Sequence, residues 1–388
     1  MSDTPLRVSA VNIAPHPRKR PVLGVIAKRT YLVANQRCVE APEQLALVEM
    51  QRPAEDGVTL DHDLDVGVHR EAVDVIVRGH AYAHEGRASY QASIRTSGGF
   101  ERALLVTGDR RCEYGPDGAL RFTPPEPAPR VALRWENAYG GMDAVAYRKH
   151  GDPLEALHRQ AGLPFDPRFS GHGYPRNPLG RGYLTSLDRE AVLACQLPNL
   201  EDPAAPLSPE RLTWSGILRW PLAPPVAATE FLPYAFFPRS AMAGLPVLPY
   251  DTRVLRAEDF PEVRAGMLRA EGVSLDPGVR LDVRFDPRVA QCSAPGMRVG
   301  HAAPDETFQL THLHPSWPVW TFQLAGEVPA VYARLPGGET EQLTPAIRTV
   351  MVEPDHDRVC VVWVATRELD VPLSDAQMDE VQHAVVWR

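Results

Sequence analysis

Cysteine is scarce in this sequence: Cys38, Cys112, Cys195, Cys292 and Cys360 are the five, widely spaced and without a CxxC pair. An odd, scattered set does not build a disulfide framework or a zinc knuckle, and it fits a reducing compartment. Positive charge is also short. Lys and Arg number 41 against 49 Asp and Glu, a formal net charge of −8, which argues against a general nucleic-acid binder relying on a basic face. The one compact basic run, Arg18-Lys19-Arg20, reads as a solvated loop. Long apolar runs are missing: nothing approaches the roughly 18 consecutive apolar residues of a membrane span. The opening Met1-Ser2-Asp3-Thr4-Pro5 leads into no apolar secretory segment, so a cytoplasmic protein is expected. Catalytic signatures are lacking too, with no G-x-S-x-G nucleophile elbow and no G-x-x-x-x-G-K-[ST] phosphate loop.

Proline is plentiful. Its 39 residues disfavour long helices and favour short strands joined by irregular connections. Residues 22–34 are β-branched and aromatic enough for a long strand, and Lys28 and Arg29 within it fit an edge or an exposed face. Residues 53–68 are polar and acidic and read as loop. Val73, Val75 and Val77 alternate on one strand face that Gly79 ends. Residues 92–96 and 103–107 flank Ser97-Gly98-Gly99-Phe100 as a hairpin. Between 145 and 230 proline and glycine dominate, with short helices expected over 153–161 and 187–194. β patterning then returns: Leu281, Val283 and Phe285 alternate with polar residues, and strands are expected over 319–324, 347–353 and 359–365. The last is apolar enough to be covered on both faces. Ser374-Asp375-Ala376-Gln377 resembles a capping box before a short terminal helix carrying Met378, Val381 and Val385 on one face. The expected fold is mainly β. Two β-rich, sandwich- or barrel-like parts (1–143 and 231–388) flank an irregular Pro/Gly-rich middle (144–230) with a few short helices.

Among chemical candidates, His312 and His314 would share a face if they lay on one strand, with His301 and Cys292 upstream to complete a metal site. A packed corner is the competing reading, because Pro315, Trp317 and Pro318 follow. Asp355-His356-Asp357 reads as a solvated turn, and His80 and His84 as structural histidines beside Tyr82. Glu136 and Asp143 are carboxylates close in sequence, but the intervening Gly140-Gly141 leaves their separation open.

The stretch Arg134-Trp135-Glu136-Asn137-Ala138-Tyr139-Gly140-Gly141-Met142-Asp143 concentrates aromatic, polar and glycine residues where the first β-rich part ends. Gly140-Gly141 marks a sharp turn, and Glu136 and Asn137 need hydrogen-bond partners if buried. A structural knot and a recognition site are both open readings, the knot being preferred. The stretch also belongs to an ordered series. Residues 69–83 come first, then Leu104 to Arg110, Trp135 to Asp143, Asn177-Pro178-Leu179-Gly180-Arg181-Gly182-Tyr183 and Leu197-Pro198-Asn199-Leu200-Glu201-Asp202-Pro203. His314-Pro315 and Val359 to Trp363 close it.

That order resembles the bacterial family called domain of unknown function 2169, over roughly residues 20–370. The resemblance implies a non-catalytic adaptor or chaperone of type VI secretion. Such a protein holds an effector with a PAAR tip or an Rhs shell and helps load it onto the VgrG spike. The resemblance carries over no catalytic residue, and no cofactor, metal, nucleic acid or membrane is expected as a partner. The family-motif positions are Trp135, Glu136, Asn137, Tyr139, Gly140, Gly141, Asp143, Asn177, Pro178, Gly180, Gly182, Tyr183, Pro198 and Asn199. One departure stands out. Where the family carries a proline–glycine–phenylalanine–glycine run, residues 224–231 lack the glycines, which bears on cargo choice if that run touches cargo. Trp214, Trp220, Phe231, Tyr234, Phe236, Phe237 and Arg239 are the expected interface anchors. The alternatives are a metal-dependent enzyme using His301, His312 and His314, and a structural component of the secretion apparatus.

Overall fold

The strand Val22–Ala34 lies in the middle of a 12-stranded sheet, pairing along its length with Arg358–Glu368. We describe it from a computed structural model covering residues 5–11, 20–49, 52–53, 60–66, 70, 72–162, 164–174, 177–204, 206–213, 255–256, 280–281, 291–293 and 295–387. The expected anchors at 214–239, the departure at 224–231, and Val283 and Phe285 lie outside these residues.

From one edge the sheet runs Leu200–Glu201, Glu101–Thr107, Ser89–Thr96, Thr307–Thr311, Val319–Gln323, Arg37–Glu40 and Val22–Ala34. It continues through Arg358–Glu368, Pro345–Glu353, Val73–Val77 and Arg298–Val299, while Leu6–Val11 also pairs with Val22–Ala34. The protein is mainly β, as the sequence indicates. Strands from its two β-rich stretches interleave: Ser89–Thr96 is antiparallel to Thr307–Thr311, and Val73–Val77 runs parallel to Pro345–Glu353. One hydrophobic cluster accordingly joins Val75, Ile94 and Leu104 to Phe308, Phe322, Val350, Val361 and Trp363. A further sheet of Pro329–Arg334, Thr340–Leu343 and Gln382–Trp387 covers Leu23, Val25 and Ala365, while Leu47 packs with Ile26, Val362 and Val364. Both faces of the central strands are therefore covered, which explains their near-continuous apolar sequence.

Covering both faces corrects the reading of Lys28 and Arg29. They sit on neither an edge nor an exposed face, being only 1% and 6% exposed. Lys28 Nζ lies 2.7 Å from Asp65 Oδ2 and 3.2 Å from the Ala46 carbonyl, and Val48 N–H donates to the same carboxylate oxygen at 2.9 Å. Arg29 pairs with Glu40 and Glu327 and stacks 4.5 Å from the Trp387 ring. Burial of charge is tolerated because each charge meets a partner. Asp74, on the strand face opposite Val73, Val75 and Val77, is fully buried. It accepts from Gln291, from the N–H groups of Cys292 and Ser293, and from the Ser293 hydroxyl at 2.7 Å.

Local expectations hold in several places. The hairpin Ser89–Thr96/Glu101–Thr107 forms, with Gly98 N–H and the Ser97 hydroxyl donating to Glu306. The two expected helices form at Pro153–Gln160 and Arg189–Ala194, and an unexpected helix, Ala144–His150, precedes them. The loop at 53–68 contains a short pairing of Arg52–Pro53 with Leu60–His62. Ser374 makes the capping box with Gln377, but the helix is only Asp375–Asp379. Val385 lies instead in Gln382–Trp387, where pairing with Pro329–Arg334 overrides the helical spacing.

Candidate functional site

After the strand Arg130–Ala132, which pairs with His80–Tyr82, the chain makes a 3-10 turn at Trp135–Asn137. Trp135 enters the main core. Tyr139–Gly140 then runs parallel beside Arg181–Gly182. Gly140 has φ +143°, and a Cβ there would lie 2.1 Å from the Asn177 carbonyl oxygen. Gly141, at φ +89°, would strike the Gly180 carbonyl at 2.2 Å. Only glycine lets the two segments approach this closely.

Side-chain amides fasten the approach. Asn177, fully buried, donates from Nδ2 to the carbonyls of Trp135 and Tyr139, each at 2.9 Å, and its own carbonyl accepts Gly141 N–H at 2.8 Å. Asn137 donates to the Ala132 carbonyl at 2.8 Å, while its main-chain carbonyl accepts Asn199 N–H at 2.8 Å. Asn199 donates to the Thr107 carbonyl at 3.0 Å and to Asp109 Oδ1 at 2.9 Å. Arg181 donates from Nε to the Glu136 carbonyl at 2.8 Å and also bonds Asn137 Oδ1. Asp143, 1% exposed, caps the Ala144–His150 helix through Ala146 N–H and accepts both the N–H and the hydroxyl of Thr185. With both oxygens so engaged, Asp143 serves the backbone, and the acid–base pairing considered with Glu136 gains no geometric support.

The remaining motif positions belong to the same assembly. The Tyr139 hydroxyl donates to the Leu212 carbonyl at 3.1 Å, and Tyr174 packs its ring 5.2 Å from both Tyr139 and Tyr183. Pro178 is buried next to Asn177. A Cβ on Gly180 would meet the Ala138 carbonyl at 2.5 Å, and one on Gly182 would meet Pro198 Cδ at 2.9 Å. Pro198 presents its carbonyl to Arg110, which also pairs with Glu201. The structure thus gathers Trp135 to Asp143, Asn177 to Tyr183 and Pro198-Asn199 into one knot. Sequence reasoning missed Tyr174 and Thr185. It placed Thr107, Asp109 and Arg181 in the ordered segments without singling them out, although a lone cation between Gly180 and Gly182 was a visible signal.

Against this knot lies a cleft of about 320 Å³, lined by residues 126–132 together with Asp109, Asn137, Arg181 and Asn199. Pro127 and Pro129 stiffen the 126–132 wall, while Glu126 and Arg130 expose charge along it. Burial pulls the Arg181 guanidinium below its usual pKa, opposed by the Asp109 and Glu136 carboxylates. Its tethers fix it in place, so the cleft presents amide and guanidinium groups without having to order them.

A family model described as an uncharacterized protein conserved in bacteria (DUF2169) matches residues 18–364. The chain belongs to this family. Neither the curated proteins nor the solved structures give a match. Within the DUF2169 chain, His312 and His314 are held by local partners. The strand stops at Thr311 and His312 has φ +55°, so His312 and His314 do not share a strand face. His312 Nδ1 lies 3.0 Å from the Tyr82 carbonyl. His314 accepts the N–H groups of Ser316 and Trp317 at Nδ1 and bonds Asp357 through Nε2 at 2.9 Å, while His301 is exposed. Among the described residues no group of three or more His, Cys, Asp or Glu is placed to hold a metal.

Residues 355–357 form a turn that is more than solvated loop. His80 Nδ1 lies 2.6 Å from Asp355 Oδ2, the Tyr82 hydroxyl donates to Asp355 Oδ1 at 2.9 Å, and Arg130 approaches to 3.9 Å. Burial raises the Asp355 carboxyl, but the bonds from His80 and Tyr82 and the Arg130 charge outweigh it, leaving it below the ordinary value. This cluster links the wall of the cleft to the C-terminal strands. No described helix is long and apolar enough to cross a membrane.

Proposed function

We propose that the protein is a non-catalytic adaptor that holds a type VI secretion effector, of PAAR or Rhs type, and helps load it onto the VgrG spike. The observation that carries the reading is how side chains of the ordered segments are used. Asn137, Asn177, Arg181 and Asn199 bond main-chain carbonyls and one another, and they support an open polar cleft with a proline-stiffened rim. Such a surface suits recognition of an extended protein segment, which needs fixed donors and acceptors and little reordering on binding. The choice of effector and spike as partners rests on the ordered family segments.

Co-purification from the native bacterium tests the reading. The tagged protein should retain an effector, with spike protein in sub-stoichiometric amounts. Recovery of neither, from cells in which the secretion system is expressed, would contradict it.

A further inference from the structure

Two of the buried cysteines face each other across a chain crossing. Arg111 and Gln196 form an antiparallel bridge, so Cys112 and Cys195 occupy the next opposed pair of positions. Opposed residues in an antiparallel pair hold their Cα atoms about 4.5–5.5 Å apart, inside the span a disulfide requires. Both side chains belong to the cluster that also contains Val145, Leu184 and Val192, and the Cys195 thiol reaches the Gln196 carbonyl at 3.8 Å. The surroundings differ on the two sides. The neighbouring Cys195 thiol and the Arg110 charge lower the Cys112 thiol against the effect of burial, while the Cys112 thiol and burial push Cys195 up. Burial pushes Cys38 up to about 12 and Cys360 up to about 11, and the groups that shift these two include no second cysteine thiol that would resolve a mixed disulfide.

We propose that Cys112 and Cys195 are a reversible thiol–disulfide pair, oxidised by small-molecule disulfides of the glutathione class. The Cys112 thiolate attacks one sulfur of the oxidant, forming a mixed disulfide and releasing one reduced thiol. Cys195, after losing its proton to solvent, attacks the Cys112 sulfur and expels the second thiol. Two protein S–H bonds and one oxidant S–S bond become one protein S–S bond and two oxidant S–H bonds, so the oxidant takes up both electrons and both protons. Cys195 caps the helix Arg189–Ala194 and is followed by Gln196 to Asn199, the segment that brings Asn199 to the cleft. Closing the bond ties that segment to the Cys112–Tyr114 strand.

The test uses the full-length reduced protein incubated with oxidised glutathione, then alkylated and mapped without reduction. The expected product is a Cys112–Cys195 linked peptide that dithiothreitol reverses, with Cys38, Cys292 and Cys360 recovered alkylated. Amide exchange at residues 196–199 should slow on oxidation. Cys195→Ser should instead leave Cys112 as a mixed disulfide with glutathione. Recovery of Cys112 and Cys195 as free thiols from the oxidised wild type would overturn the proposal, as would a cross-link through any other cysteine. A Cys112–Cys195 bond that leaves exchange at 196–199 unchanged would overturn its coupling to the cleft.

Discussion

Asn177 and Tyr139 are bound through a 2.9 Å hydrogen bond from the Asn177 carboxamide to the Tyr139 carbonyl, 38 positions apart in sequence. The same Nδ2 reaches the Trp135 carbonyl, so one side chain holds both ends of the motif turn. Asn177→Ala leaves these carbonyls without that donor. It should lower unfolding free energy by about 3 kcal/mol, the scale of stranding buried polar groups, as urea titration would measure. Gly140→Ala should be worse, because its Cβ would lie 2.1 Å from the Asn177 carbonyl oxygen.

The Lys28–Asp65 pair gives a second outcome. Asp65→Asn removes the carboxylate beside a cation that is 1% exposed, and should cost about 3 kcal/mol, as breaking a buried ion pair does. Adding Lys28→Met should recover at least half of the loss, since the substituted carboxamide can still accept Val48 N–H. A double mutant no better than the single one would show that the pair is not where the loss arises.

These two sites also show what the sequence made legible. Alternation located the strand at 72–78, turn residues the hairpin of 92–96 with 103–107, and a nearly unbroken apolar run the strand at 359–365, because those signals are local. The environment of Lys28 was not legible, since its partner Asp65 sits in a stretch whose own pattern is simply polar loop. The interleaving of N- and C-terminal strands depends on pairings such as Leu310 with Ile94, which no single-strand pattern specifies. At the motif, Gly140-Gly141 announced a tight turn. The acceptors that make glycine necessary there, Asn177 and Gly180, lie nearly forty residues away, so the knot itself became visible only in three dimensions.

Acid should weaken the protein through Asp355 and Glu306. Both carboxyls lie below their ordinary values: burial raises each, and hydrogen bonds outweigh it, from His80 and Tyr82 at Asp355 and from Ala303, Gly98 and Ser97 at Glu306. A depressed folded pKa means that the stabilisation is complete above the unfolded value of about 4 and is lost as pH falls through the folded value. Urea midpoints measured across this range should drop steeply in the wild type. Asp355→Asn should be less stable at neutral pH and show a shallower acid limb.

The rim of the cleft should separate recognition from stability. The Arg130 side chain is 57% exposed, and exposed ion pairs are worth about 0–1 kcal/mol. Exchanging the rim side chains with Glu126→Arg and Arg130→Gln, the latter keeping a donor and adding no negative charge beside Asp355, should leave the unfolding free energy within about 1 kcal/mol of wild type. It should reduce retention of the partner in co-purification. Retention at the wild-type level would place recognition elsewhere on the molecule.

The most direct measurement of the central claim is effector export. In the native bacterium, the effector recovered by co-purification is quantified in the culture medium of wild-type cells, of cells lacking this gene, and of cells complemented with the wild-type or rim-exchanged protein. An adaptor predicts that export fails without the gene, returns with the wild type and stays impaired with the rim exchange. Export that is unchanged in the deletion strain, with an active secretion system, would contradict the adaptor account.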